Sequence, residues 1–171
     1  MRGNSWLKVV WLAVISVICI VLDQLTKILC VNNIALGDSI TVIPGVLDFT
    51  YIQNRGAAFG SLTNARWVFM IASVVMIVII ACYVISNRNT LSYPAVITLA
   101  LIVGGGIGNM IDRIALGYVI DFIDVKFLPF WKWIFNIADS FVCVGAFLLV
   151  IIFIIEEYKT KRNNNDVTTD L

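Results

Sequence analysis

The chain contains no histidine. That absence removes Ser–His and Cys–His nucleophile pairs and the zinc sets that rely on imidazole. Acid–base chemistry near neutral pH is left to carboxylates, Lys, Tyr and Cys. Charge is scarce as well: 13% of the 171 residues are Asp, Glu, Lys or Arg, against about 25% in an ordinary soluble domain. So little charge cannot cover a water-facing surface, and with 60% apolar residues the composition points to a single-domain membrane protein. A formal net charge of +1 provides no basic footprint for nucleic acid and implies no acidic partner. Cys19, Cys30, Cys82 and Cys143 form no C-x-x-C pair. They read as packing residues, not as a disulfide framework.

Long apolar runs are what the chain does have. A membrane helix needs about 20 mostly apolar residues, and spans are expected at about 7–29, 67–87, 93–112 and 134–155. The first resembles a signal peptide at its start, with Arg2 and Lys8 before an apolar stretch. No A-x-A-like exit follows, so it reads as a retained helix. Four spans put both termini on one side. Lys and Arg divide six against six between the two sides, so the positive-inside rule alone does not orient the chain. Pro44-Gly45 between β-prone runs, Ile40–Ile43 and Leu47–Ile52, predicts a small antiparallel sheet. The aromatic segment around 126–133 predicts an interfacial helix or belt. The polar tail from about residue 160 to 171 is expected to be disordered.

One charge, Asp139, stands in the last apolar run. An ionised Asp in hydrocarbon costs at least about 2.5–3.5 kcal/mol, so it is by default a functional residue. It is expected about two turns into its helix, roughly 9 Å along. The alternating topology lets Asp112, Asp121, Asp124 and Asp139 gather at one shallow depth. Asp121 with Asp139 is the best candidate pair, because two close carboxylates share a proton and together activate water and protonate a leaving group. Asp124 and Lys126 read as solvated. Asp112-Arg113 and the i, i+4 pair Asp23/Lys27 are read first as structural ion pairs. Gly104–Asn109 superficially resembles a phosphate loop, but inside an apolar span it reads as close helix packing.

Five motifs then match a known family in order across the chain. Asp23-Gln24-Leu25-Thr26-Lys27, Asn54-Arg55-Gly56-Ala57-Ala58-Phe59-Gly60, Gly104 to Asn109 with Asp112-Arg113, Val119-Ile120-Asp121-Phe122, and Phe135-Asn136-Ile137-Ala138-Asp139 closely resemble the motifs of the bacterial lipoprotein signal peptidases. The glycine run is slightly longer than the pattern needs. The resemblance implies an aspartic endopeptidase that removes the signal peptide of a diacylglyceryl-modified prolipoprotein, cleaving just before the lipidated Cys. It implies catalytic roles for Asp121 and Asp139. Supporting or substrate-binding roles fall to Asp23, Lys27, Asn54, Gly56, Asn109, Asp112, Arg113 and Asn136. No cofactor or metal is implied. The partners expected are the prolipoprotein and membrane lipids, with no nucleic acid and a monomeric state.

The fold implied is an all-α membrane protein of four transmembrane helices with a small extracytoplasmic β-sheet, or cradle, and a short interfacial helix. The resemblance also implies residence in the bacterial cytoplasmic membrane, both termini in the cytoplasm and the active site at the outer face. Ile79-Ile80-Ala81-Cys82 resembles the lipobox of a substrate, but in mid-chain it is a chance match. Two other classes fit an intramembrane Asp: a proton-linked transporter, which needs polar residues along a path through the bilayer, and a structural subunit, which leaves Asp139 without a role.

Overall fold

A computed structural model describes residues 5–56, 66–127 and 133–169, with side chains to residue 162. The elements in order are α1 (Trp6–Asn33), β1 (Ser39–Ile43), β2 (Leu47–Asn54), α2 (Arg66–Ser86), α3 (Tyr93–Ala115), β3 (Val119–Val125), β4 (Ile134–Phe135) and α4 (Ile137–Thr169). The described residues contain four helices long and apolar enough to cross a membrane. Their outward faces carry large apolar side chains, among them Trp67, Ile71 and Phe147, each more than 60% exposed. An apolar surface so extensive suits lipid rather than water.

α3 is the centre of the bundle. Two thirds of its apolar span is buried, against less than a quarter of the spans of α1, α2 and α4. It starts cleanly: the Ser92 hydroxyl accepts the Ala95 N–H and Pro94 occupies the first turn, where a missing N–H costs nothing. Its glycines set how near the neighbours come. A Cβ on Gly104 would stand 2.6 Å from Cys19 Cβ and 2.9 Å from the Ser16 carbonyl oxygen of α1. Gly105 lies against the Ala138 carbonyl of α4, and Gly145 of α4 against the Thr98 carbonyl of α3. The glycine run is therefore a packing surface on two sides, as its place in an apolar span predicted. α1 runs parallel to α3, since Ser16 meets Ala100 while Lys27 meets Asp112. α4 runs antiparallel to α3.

At the end of the bundle where α1 and α3 finish, the chain builds a four-stranded antiparallel sheet in the order β1-β2-β3-β4. Pro44-Gly45 makes the first turn, with Gly45 at φ +72°, a conformation that favours glycine. The sheet closes over a small core of Cys30, Ile34, Tyr51, Ile120 and Phe122. β3 was not expected as a strand. Its β-branched sequence Val119-Ile120-Asp121-Phe122-Ile123-Asp124-Val125 pairs with β2, Ile52 opposite Asp121.

Both ends of α4 and the burial of Asp124 depart from expectation. α4 begins at Ile137 and not at 134, because Ile134 and Phe135 pair with Asp124 and Ile123 as β4. α4 also continues through the polar tail to Thr169, so residues 160–169 are helical and not disordered. No Gly or Pro lies between Gly145 and Thr169, and Glu157 pairs with Lys161 one turn on, so propagation carries the helix past the apolar run. Asp124 is buried at 8% exposure, taking the Thr50 hydroxyl at 2.8 Å and the Lys126 ammonium, so it is not a solvated residue. The interfacial helix expected at 126–133 falls on residues 128–132, which lie outside the described residues.

The two sides of the glycine run predict opposite tolerance. Gly104→Ala forces α1 away through backbone contacts and should cost about 1–3 kcal/mol by overpacking. Gly106→Ala meets the flexible Met76 side chain at 3.3 Å and should stay near wild type. Thermal unfolding in detergent separates them, and equal melting temperatures would contradict the packing assignment.

Candidate active site

The first turn of α4 explains why an apolar helix retains Asp139. A helix N-terminus has unpaired N–H groups and a partial positive charge. Asn136 precedes the helix and its Oδ1 accepts the Asp139 N–H at 2.9 Å. Asp139 Oδ2 accepts the Asn136 N–H at 3.2 Å. This reciprocal pair is a capping box written with Asn and Asp. A second carboxylate joins from α1, as Asp23 Oδ1 accepts the Ala138 N–H at 3.0 Å. Asp139 is therefore in the first turn, not two turns deep, because the chain before it forms β4.

Beneath this turn lies a buried ammonium. Lys27 is 1% exposed. Its Nζ contacts Asp23 Oδ2 at 2.8 Å, Asp112 Oδ2 at 2.9 Å and Asn109 Oδ1 at 3.0 Å, which uses all three of its protons. Asp112 is satisfied in turn by the Gln24 amide at 2.9 Å and the Ile120 N–H at 3.1 Å. Gln24 also donates to Asp23 and to the Gly108 carbonyl. The cluster thus ties α1, α3, α4 and the start of β3 together. A Cβ on Gly108 would come within 2.6 Å of Asp23 Oδ2, so only glycine lets that carboxylate in.

Two asparagines carry the arrangement on to Asp121 and Asp139. Because Lys27 holds Asn109 Oδ1, the amide of Asn109 is turned so that Nδ2 donates to Asp139 Oδ1 at 2.7 Å. Asn136 is fully buried, and its Nδ2 reaches Asp121 Oδ1 at 2.7 Å, Asn109 Oδ1 at 3.0 Å and the Ile120 carbonyl at 3.2 Å. Asp121 Oδ2 accepts the Asn54 amide at 2.8 Å, and Asn54 Oδ1 is held by the Gly56 N–H at 3.1 Å. One residue, Asn136, therefore touches both carboxylates, through its side chain and its backbone. Asp121 is 1% exposed. Burial, and then the nearby charge of Asp139, push its pKa up to about 7 against the opposing pull of the Asn54 and Asn136 amides.

Arg113 completes the set. Its guanidinium lies 5.4 Å from the Phe69 ring centroid and donates to the Asn109 carbonyl. Its charge acts on Asp139, Asp121 and Asp112, in that order. With Asp139, Asn109, Phe69 and Met76 it lines a cavity of about 220 Å³ between α2, α3 and α4.

All ten residues singled out in the sequence, Asp23, Lys27, Asn54, Gly56, Asn109, Asp112, Arg113, Asp121, Asn136 and Asp139, fall in this one connected group. Asp124 does not; it pairs with Lys126 and Thr50 at the far end of β3. Gln24 was missed, although it sits between Asp23 and Lys27 in the first motif. Residues 57–60 of the second motif lie outside the described residues.

Removing the ammonium alone leaves Asp23 and Asp112 buried without their cation, which costs about 3–5 kcal/mol for a broken buried pair. Lys27→Met should therefore melt well below wild type, and adding Asp112→Asn should recover part of the loss. A Lys27→Met protein with unchanged thermal stability would show that the ammonium is not a structural anchor.

The profile of the family described as Peptidase_A8, signal peptidase (SPase) II, matches residues 15–155. The lipoprotein signal peptidase of Streptococcus thermophilus (strain CNRZ 1066) is 46% identical over 136 residues, covering 80% of this chain and 87% of that protein. That of Halothermothrix orenii is 41% identical over 138 residues, covering 81% and 91%. Two bacterial membrane enzymes solved by the in meso method superpose with TM-scores of 0.77 and 0.74, at 32% and 33% identity. They cover 85% and 83% of this chain, and 88% and 91% of their own. With the motifs, the bundle and the carboxylate group agreeing over that length, the chain belongs to the signal peptidase II family.

Proposed function

We propose that this peptidase removes signal peptides from diacylglyceryl-modified prolipoproteins, with Asp121 and Asp139 as its catalytic carboxylates. The observation that carries the reading is the joint hold of Asn136 on both acids. In the proposed mechanism Asp121 keeps its proton near neutral pH and donates a hydrogen bond to the scissile carbonyl. Asp139, half-buried beside the cavity, takes a proton from water as that water attacks the carbonyl carbon. The tetrahedral intermediate collapses when a carboxyl proton passes to the departing amine of the lipidated Cys. Asn109 and Asn136 orient the two acids. Arg113 offsets negative charge beside them. Asp23, Lys27 and Asp112 fix the helix ends from which the acids project, and Asn54 and Gly56 hold Asp121 from the sheet side.

The shallow position of the group supports an interfacial substrate. A diacylglyceryl anchor keeps its chains in the bilayer, and its Cys backbone then rests near the head groups. Carboxylates in the first turn of a span reach both that bond and water. The orientation that follows has both termini in the cytoplasm and the carboxylate group at the outer face of the bacterial cytoplasmic membrane, with the protein acting as a monomer.

Two measurements test the assignment. Cleavage of a lipidated prolipoprotein peptide should fall by at least about 100-fold in Asp121→Asn and in Asp139→Asn, with both variants folded. In the wild type, kcat/KM should decline as pH rises through about 7, where Asp121 loses its proton; a rate constant from about pH 6 to about pH 9 would sink the role of Asp121 as the acid. Stability carries the same sign. The folded pKa of Asp121 lies above its ordinary 3.8, so its contribution is fully present below that value and is lost as pH rises towards 7. Asp121→Asn should therefore melt higher than wild type at pH 8, and the gap should narrow towards pH 4.

A further inference from the structure

Two arginines stand apart from the carboxylate group. Arg55 follows β2, and Arg66 opens α2. Both line one cavity of about 250 Å³, with Trp67 and Gly117. Among the described residues the other cations near this end of the bundle face acids: Lys27 holds Asp23 and Asp112, Lys126 holds Asp48 and Asp124, and the charge of Arg113 acts on Asp139. Among the described residues no carboxylate pairs with Arg55 or Arg66. The Nε of Arg66 is buried and has no hydrogen-bond partner among the described residues. A buried, unpaired guanidinium N–H is a costly state that an acceptor would relieve.

The surroundings hold the two cations in place. The Arg55 guanidinium lies 5.8 Å from the Tyr118 ring centroid, and that of Arg66 lies 5.0 Å from the ring centroid of Trp67. A Cβ on Gly117, which has φ +82°, would stand 3.3 Å from Arg66 Nη1, so the arginine passes close over the bare backbone of that turn. Trp67 is 62% exposed and is followed along the lipid-facing side of α2 by Val68 and Ile71. Amphipathic indoles at the ends of spans sit at head-group depth. The cavity is thus positive and polar, and it adjoins an indole of the kind that sits at head-group depth. Guanidinium forks match phosphate oxygens in pairs.

We propose that this cavity binds the phosphate of an anionic membrane phospholipid, held between the Arg55 and Arg66 guanidiniums beside Trp67. The lipid chains then lie along the exposed apolar face of α2. The cavity shares no described lining residue with the one beside Asp139, although Arg55 sits between Asn54 and Gly56, and the proposal does not depend on the peptidase reading.

The test is native mass spectrometry of the full-length protein, released from detergent with dioleoylphosphatidylglycerol, dioleoylphosphatidylcholine or inorganic phosphate. The expected result is preferential retention of phosphatidylglycerol, reduced at least 10-fold in the double variant Arg55→Gln/Arg66→Gln and largely kept in Arg55→Lys/Arg66→Lys. Equal retention of the two lipids, or undiminished phosphatidylglycerol in the Gln variant, would overturn the proposal. Inorganic phosphate displacing the lipid at equal concentration would overturn the lipid as occupant and assign the cavity to a free anion. On the wild-type protein, a photoreactive phosphatidylglycerol should crosslink to peptides containing Arg55 or Trp67. Crosslinks confined to other helices would overturn the site even if both variants failed to fold.

Discussion

The ammonium of Lys27 is the point from which the rest of the site is set. Burying it costs several kcal/mol in lost hydration, and only good geometry with satisfied partners offsets that. Each of its protons has an acceptor, and each acceptor belongs to a different task. Asp23 goes on to cap α4. Asp112 goes on to hold the first turn of β3 through the Ile120 N–H. Asn109 goes on to Asp139. A single cation on α1 thereby fixes where α4 starts, where β3 leaves α3, and which way an amide points at a carboxylate. The glycines of α3 permit this, since a side chain at Gly108 would displace Asp23.

The second constraint is the N-terminus of α4. Carboxylates are expensive in a bilayer, but the end of a helix supplies N–H donors and a favourable dipole at the depth where water is still near. Asp139 uses both. Asp121 cannot, because it lies on β3. It is placed by strand register, opposite Ile52, and by the two amides that bond its oxygens. The pair thus combines a helix-held acid with a sheet-held acid. Their surroundings therefore differ, one a helix N-terminus and the other a buried strand position held by two amides.

The bundle was legible because hydrophobic length is a strong signal: each expected span lies on one of the four helices, although α4 starts later than expected and runs well past 155. The hairpin followed from Pro44-Gly45 between β-prone runs. β3 was less visible, since Asp121 and Asp124 interrupt its apolar pattern and both of its faces are largely covered, which removes the alternation that marks a half-buried strand. The start of α4 was misjudged for a related reason: Ile134-Phe135 is equally apolar as helix or strand, and only pairing with β3 decides it. Gln24 escaped because an amide inside a span carries no charge to draw attention, although burial makes its hydrogen bonds as necessary as those of its neighbours. The ten grouped residues were legible through family motifs. Composition and spacing alone left Asp112, Asp23 and Lys27 as local ion pairs and did not reveal that they share one cluster.

Charge at the site then argues for the protonation state the chemistry needs. Asp23, Asp112, Asp121 and Asp139 contribute four negative charges if all ionise. Lys27 and Arg113 contribute two positive ones. An excess of two negative charges in a largely buried group is unfavourable at low effective dielectric. One proton halves that excess. Asp121 is the most natural place for it, being almost wholly buried and next to Asp139, with its pKa at about 7. Asp139 in turn has the helix N-terminus, the Asn109 amide and the Arg113 charge around it. The singly protonated pair follows from the counting of buried charges as much as from any property of the two acids themselves. The Lys27 ammonium also acts on Asp121 through space, its charge opposing the rise in proton affinity that burial and Asp139 produce.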